Sequence, residues 1–228
     1  MRNYNNRKYA FTLAEVLITL GIIGVVAAIT LPVLIQKYQK IVYYNQFKKA
    51  ATTLEQALKM YEVDNGCEGD IRNCKTKLTA EDISKYFNIA QYITEDNYDS
   101  VCKDYSRNMS VMCQNDIGDN VEKYYAFITN DGMLFNFSLD AGFAGGSVVD
   151  INGPNKKPNQ NGRDIFVYYL PGAHPCDNTI SAQNIVWGGN EEKLGCSQNM
   201  VNICDVNSDI YNGSGCAAKL LSEGKMNY

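Results

Sequence analysis

Residues 11–35, "FTLAEVLITLGIIGVVAAITLPVLI", are apolar at nearly every position, interrupted only by Thr12, Glu15, Thr19, Thr30 and the helix-disturbing Gly21, Gly24 and Pro32. A helix that is apolar on all sides meets hydrocarbon or a protein core rather than water. At helical rise the stretch measures roughly 37 Å, enough to cross a hydrocarbon layer of about 30 Å. Beyond Pro32 the helical period continues, but the pattern becomes one-sided. Tyr44, Phe47, Ala51, Leu54, Leu58 and Tyr61 form a stripe at helical spacing, opposed by Lys48, Lys49, Gln56 and Lys59. Asn65 and Gly66 then supply a C-cap. The pattern predicts one helix over residues 11–64, with Pro32 loosening it by removing a hydrogen bond. Its first half suits a membrane and its second half a domain surface.

The remainder, residues 65–228, reads as strands and loops. "EDISKYFNIAQY", residues 81–92, predicts a short helix with Thr79 as N-cap and Ile83, Tyr86, Phe87 and Ala90 on one face. "KYYAFITNDGMLFNFSLD" places two aromatic-rich runs around Asp131 and Gly132, a dipeptide preferred by tight hairpins. "GGSVVDING" and "GRDIFVYYLP" add two strands, giving an antiparallel meander of about four. "CAAKLLSEG", residues 216–224, predicts a last helix after a Gly/Asn/Ser-rich tail. A long helix laid across a meander is an α+β roll.

Charge and cysteine usage narrow the reading. Residues 1–64 hold eight Lys/Arg against four Asp/Glu, and residues 65–228 hold thirteen against twenty-one, which together give the net charge of −4. An acidic C-terminal part lacks the basic footprint that nucleic acid requires as a main partner. All eight cysteines, Cys67, Cys74, Cys102, Cys113, Cys176, Cys196, Cys204 and Cys216, follow position 64. Even in number and confined to the loop-rich part, they read as a disulfide framework in an oxidising compartment. Pairings such as Cys67 with Cys74 and Cys102 with Cys113 are local options among many. Zinc is disfavoured, since no short C-x-x-C spacing occurs and His174 is the single histidine. The cysteines therefore place residues 65–228 outside the cytoplasm.

Ahead of the apolar run lies "MRNYNNRKYA", a leader with three basic residues and no acid. This leader, the Ala10–Phe11 junction, Thr12-Leu13, Glu15 in fifth place from Phe11, the apolar run and Pro32 together resemble the prepilin N-terminus of type IV pilins and type II secretion pseudopilins. The resemblance covers about 35 residues by motif and 64 by architecture. It implies cleavage by prepilin peptidase between Ala10 and Phe11 and N-methylation of Phe11. It also implies a pilin-like fold, in which a membrane-spanning helix packs through its second half on an antiparallel meander. One departure is Ala10, where most members carry glycine. Alanine is the next smallest residue, so processing is expected to survive.

The acid fits that implication. An ionisable residue within hydrocarbon is costly unless paired, and such residues usually carry function. Cleavage creates an amino group on Phe11, and Glu15 of one subunit is expected to pair with Phe11 of a neighbour. A conventional signal peptide cut after "VAA", residues 26–28, is opposed by the length of the run and by Glu15.

In "VVDINGPNKKPNQNGRDIFVYYL", Asp150, Asn152, Asn155, Asn159 and Asp164 gather side-chain oxygens, which suit calcium. The ligand order is not that of an EF-hand. The favoured reading is a long strand connection whose Asn and Asp residues cap their own backbone. The resemblance raises calcium at Asp150, Asn152, Asn155 and Asp164, because some pseudopilins hold the ion between late strands. No other cofactor is expected.

Neither a Gly-rich phosphate loop nor a G-x-S-x-G elbow is present. The expectation is a non-enzymatic filament subunit with no catalytic residues. Its domains are a leader (1–10), an assembly helix (11–35), the amphipathic half of that helix (36–64) and an extracytoplasmic head (65–228). It would enter the cytoplasmic membrane as a single-pass protein, then join a periplasmic or cell-surface homo- or hetero-polymer. The alternative is an exported disulfide-rich binding domain or hydrolase using the segment only as signal or anchor.

Overall fold

The computed structural model describes residues 11–67, 71–74, 78, 80–103, 105, 124–138, 147–170, 185–188, 204–206, 213 and 215–228. The chain divides into two compact units, ending at Ile41 and beginning at Val42.

Helix α1 spans Leu13–Asn65 and continues through Pro32 without a break. Within the first unit its large apolar side chains stay exposed, Leu20 at 60 % and Ile29 at 69 %. It is the single helix among the described residues that is long and apolar enough to cross a membrane. The run of Leu, Ile and Val leaves its backbone hydrogen bonds satisfied internally, as a lipid environment demands.

In the second unit the stripe is buried. Phe47, Ala50, Ala51, Leu54, Ala57, Leu58 and Tyr61 lie in the core, while the lysines between them remain outside. Phe47 meets Phe166 and Trp187 at ring-centroid distances of 4.7 and 5.0 Å. Ala50 and Ala57 are buried on the same helix. The helix ends in a Schellman motif. Gly66 adopts φ 68°, its N–H donates to the Val63 carbonyl at 3.4 Å, and the Cys67 N–H donates to the Glu62 carbonyl at 3.1 Å. Cys67 is thereby turned toward Cys74, and the two are bonded with Cα atoms 5.3 Å apart.

A single turn of 3-10 helix, Ile71–Asn73, leads to α2, Ala80–Ser84. Then come β1 (Ile89–Ile93), α3 (Glu95–Cys102), β2 (Tyr124–Thr129), β3 (Leu134–Ser138), β4 (Ser147–Asp150), β5 (Ile165–Tyr169), β6 (Val186–Trp187) and α4 (Cys216–Glu223). The six strands form one antiparallel sheet in chain order, β1 to β6. Registers such as Phe127 opposite Phe135, Phe135 opposite Val149 and Val149 opposite Phe166 send one aromatic-rich face toward α1. The alternate residues Ala126, Leu134, Val148, Ile165, Val167 and Tyr169 form a second buried layer with Val101 and Tyr105. Strand β5 is therefore buried on both faces, which explains its unbroken apolar run.

The structure corrects the helix expected over residues 81–92. Helix α2 stops at Ser84, and residues 89–93 pair with β2, Tyr92 opposite Phe127 and Ile93 opposite Ala126. Ile83 and Phe87 are buried as expected, but Ala90 is exposed. Strand pairing thus overrode a local helical period. The sheet has six strands rather than about four, and α3 was not anticipated. Its Thr94 N–H is capped by Asn97 Oδ1 at 2.8 Å. The expected N-cap Thr79 lies outside the described residues.

Candidate functional site: the assembly segment and the loop after β4

Two places carry chemistry: the start of α1 and the connection between β4 and β5. At the first, Thr12 is the residue before the helix and Glu15 stands three positions later. Glu15 Oε2 accepts the Thr12 N–H at 2.8 Å and the Thr12 hydroxyl at 2.9 Å, while Thr12 Oγ1 accepts the Glu15 N–H at 3.3 Å. This is a capping box, in which two otherwise unpaired N–H donors of the first turn are satisfied reciprocally. The carboxylate also faces the positive end of the helix dipole. The remaining hydroxyls of the segment are satisfied within the helix as well. Thr19 donates to the Val16 carbonyl at 3.0 Å, and Thr30 to that of Val26 at 2.9 Å. Each described polar side chain from Thr12 to Thr30 thus holds its hydrogen bonds within its own helix. Such an arrangement suits hydrocarbon, where an unsatisfied polar group is costly.

The capping role of Thr12 was not among the expectations from sequence. The signal was nevertheless present, because "TLAE" is the S/T-x-x-E signature of a capping box.

At the second place, residues 151–164 form a loop held by two buried acids. Asp150 Oδ1 accepts the backbone N–H groups of Asn152 (3.1 Å) and Gly153 (2.8 Å), and Oδ2 accepts the Tyr105 hydroxyl at 2.5 Å. Asp164 Oδ1 accepts the Gln160 N–H at 2.7 Å. Its Oδ2 accepts the Asn159 N–H at 2.8 Å and the Asn152 side-chain amide at 3.2 Å. Burial dominates the titration of Asp150 and pushes it up to about 7, opposed by the Tyr105 hydrogen bond and reinforced by the charge of Asp164. Burial likewise raises Asp164 and Tyr105.

The loop is also fixed from outside. Gly153, at φ 85°, packs so tightly on the hairpin tip that a Cβ there would collide with the Gly132 carbonyl. Gln160 Nε2 donates to the Val206 carbonyl at 3.0 Å, and a Cβ on Gly162 would stand 2.8 Å from Cys216 Sγ. Cys216 is bonded to Cys204, with Cα atoms 4.4 Å apart. The Tyr43 hydroxyl of α1 donates to the Lys157 carbonyl at 3.5 Å.

Asp150, Asn152 and Asp164 are brought together, whereas Asn155 is exposed at the loop tip. Beside these acids the side-chain oxygens of Asn152 and Asn161 are buried without a hydrogen-bond partner. Both carboxylates are wrapped by N–H and O–H donors, whose positive ends would face a cation, and Asn152 turns its amide nitrogen toward Asp164. Among the described residues, no three acidic, histidine or cysteine side chains converge on a point. The acids act as caps for the turn, the backbone-capping chemistry of Asx residues. Tyr105, which closes this cluster, was not legible in the sequence, since 45 residues separate it from Asp150.

Residues 5–31 match the family model of the prokaryotic N-terminal methylation motif. The chain carries a prepilin-type N-terminal segment. Comparison with curated proteins and with solved structures gave no match. Phe11 and Glu15 both lie within the matched residues, one on either side of the N-cap. Ala10 lies outside the described residues, as do Cys113, Cys176, Cys196 and the side chain of Cys102. The apolar helix and the prepilin-type segment together fit a membrane-anchored protein whose head faces away from the cytoplasm.

Proposed function

We infer that this chain is a structural, non-enzymatic subunit of a type IV pilus or type II secretion-like filament. The observation that carries the reading is the methylation motif over residues 5–31, which brackets the Ala10–Phe11 junction and Glu15. Prepilin peptidase removes residues 1–10 and methylates Phe11, and the subunit waits in the cytoplasmic membrane as a single-pass protein. Assembly then exchanges lipid around the exposed face of α1 for neighbouring helices of the same or related subunits. Gly21 and Gly24, whose Cβ positions are open, favour close approach there.

In the lone subunit the Glu15 carboxylate is held by Thr12. In the filament it pairs with the Phe11 amine of a neighbour, an ion pair strengthened by low dielectric. Mass spectrometry of the mature N-terminus tests the reading. A start at N-methyl-Phe11 is expected, and a start at Ile29 or an uncut leader would sink it. In the same strain, Glu15→Ala is expected to leave cleavage intact while removing the subunit from sheared filaments.

A further inference from the structure

We propose that Asn152 and Gly153 undergo a self-catalysed ring closure, in which the Gly153 nitrogen attacks Asn152 Cγ, ammonia departs and a backbone succinimide remains. The first support is the dipeptide itself. Glycine lacks a Cβ, so its nitrogen approaches the neighbouring side chain with least hindrance. The reacting atoms belong to adjacent residues, which makes the attack intramolecular and spares the entropy of bringing them together. Asn152 Oδ1 accepts no hydrogen bond, so it is unrestrained as Cγ turns toward the nitrogen.

The second support is the placement of two buried carboxyls on the two nitrogens that must exchange a proton. The Gly153 N–H, which has to lose one, donates to Asp150 Oδ1 at 2.8 Å. Asn152 Nδ2, which has to gain one, donates to Asp164 Oδ2 at 3.2 Å. The charge of Asp164 acts on Asp150. Neighbouring buried carboxyls hold a single proton between them, because two like charges at close range are not both sustained. Asp150, ionised, takes the Gly153 proton, and Asp164, protonated, delivers its own to Nδ2. The N–Cγ bond forms, the Cγ–Nδ2 bond breaks and ammonia leaves. Asp150 ends protonated and Asp164 ionised, so the protons balance and no further reactant enters.

The third support is a matched pair within the same loop. Asn161 and Gly162 repeat the dipeptide, again with glycine in the left-handed region, φ 78° against 85° at Gly153, and with Asn161 8 % exposed against 6 % for Asn152. There the Gly162 N–H donates to the Ile165 carbonyl at 2.8 Å, an acceptor that does not take the proton. The glycine conformation and the burial are alike, and a base stands at one of the two sites. Burial also preserves the product, because opening the ring requires water at Cγ and Asn152 is shielded from it. The ring withdraws the Asn152 amide from Asp164 and fixes the backbone at the start of the connection between β4 and β5.

The test incubates the full chain in detergent micelles at neutral pH, digests it with pepsin in acid, where the ring survives, and weighs the peptides that carry residues 151–164. The peptide holding Asn152 is expected to be lighter by one ammonia, and hydroxylamine is expected to split the chain after Asn152. In the native chain Asn152 should convert roughly a hundredfold faster than Asn161, the ordinary worth of a positioned general base. In denaturant the two should react alike. Asp150→Asn should bring Asn152 down to the level of Asn161, with circular dichroism reporting that the head stays folded. Equal conversion at the two asparagines in the native chain overturns the proposal. So does conversion at Asn152 that is no faster in the native than in the denatured chain, whether or not the variant folds. Undiminished conversion in folded Asp150→Asn removes Asp150 as the base and overturns it as well.

Discussion

The two units of the chain treat the same kinds of residue in opposite ways. Up to Ile41 the leucines, isoleucines and valines of α1 are exposed on every side, while from Phe47 one face of the same helix, through Leu54 and Leu58 to Tyr61, is buried in the core. Each unit also holds an acid on local hydrogen-bond donors, Glu15 exposed and Asp150 buried. Glu15 is held by the N–H and hydroxyl of Thr12, and Asp150 by two N–H groups and the Tyr105 hydroxyl. The difference teaches where burial occurs. The head buries its apolar residues within one chain, whereas the first unit leaves its apolar surface exposed.

The sharpest way to break that comparison is a pair of truncations. Phe47→Ala empties a site that is fully buried between Phe166 and Trp187, and should cost the head about 3–5 kcal/mol in denaturant unfolding. Leu20→Ala removes a side chain of similar character that touches no core, and should leave head stability within about 0.5 kcal/mol of the parent. Equal losses would show that the first unit stabilises the head after all.

A smaller, graded effect concerns the buried acid. Asp150 titrates near 3.8 when unfolded and about 7 when folded, so between those values the folded state holds more protons. Stability is then greatest at the acid end of the window and falls as pH rises through it. Melting of the head should therefore occur at higher temperature at pH 5 than at pH 8, and Asp150→Asn should flatten the slope. A slope of the opposite sign would mean that Asp150 folds as a charged group.

The smallest expected effect is none. Chelation should not shift the melting temperature, because the loop after β4 is closed by its own donors, whereas a calcium-held loop would be destabilised by mass action.

Much of this was written in the sequence at short range. The change from all-round to one-sided hydrophobicity near Pro32 and the Schellman glycine at Gly66 depend on neighbours within a few positions. So do the hairpin at Asp131 and Gly132 and the capping box at Thr12 and Glu15. In each of these the physical cause lies within one or two turns of chain. The prepilin-type segment is legible for the same reason, since it occupies one short run, residues 5–31.

Other features were settled only by tertiary structure. Residues 89–93 carried an adequate helical period, yet they became β1 because β2 offered an unpaired edge and an aromatic face. Asp150 and Asp164 carried the oxygens of a metal ligand set. They became turn caps because the loop backbone, Asn152 and Tyr105 brought donors to them that sequence spacing does not reveal. Sequence alone determined which stretch is destined for hydrocarbon, because that depends on composition along one helix. Only folding decided which polar groups meet inside the head, because burial attaches a large free-energy penalty to every group left unpaired, and pairing partners are chosen in three dimensions.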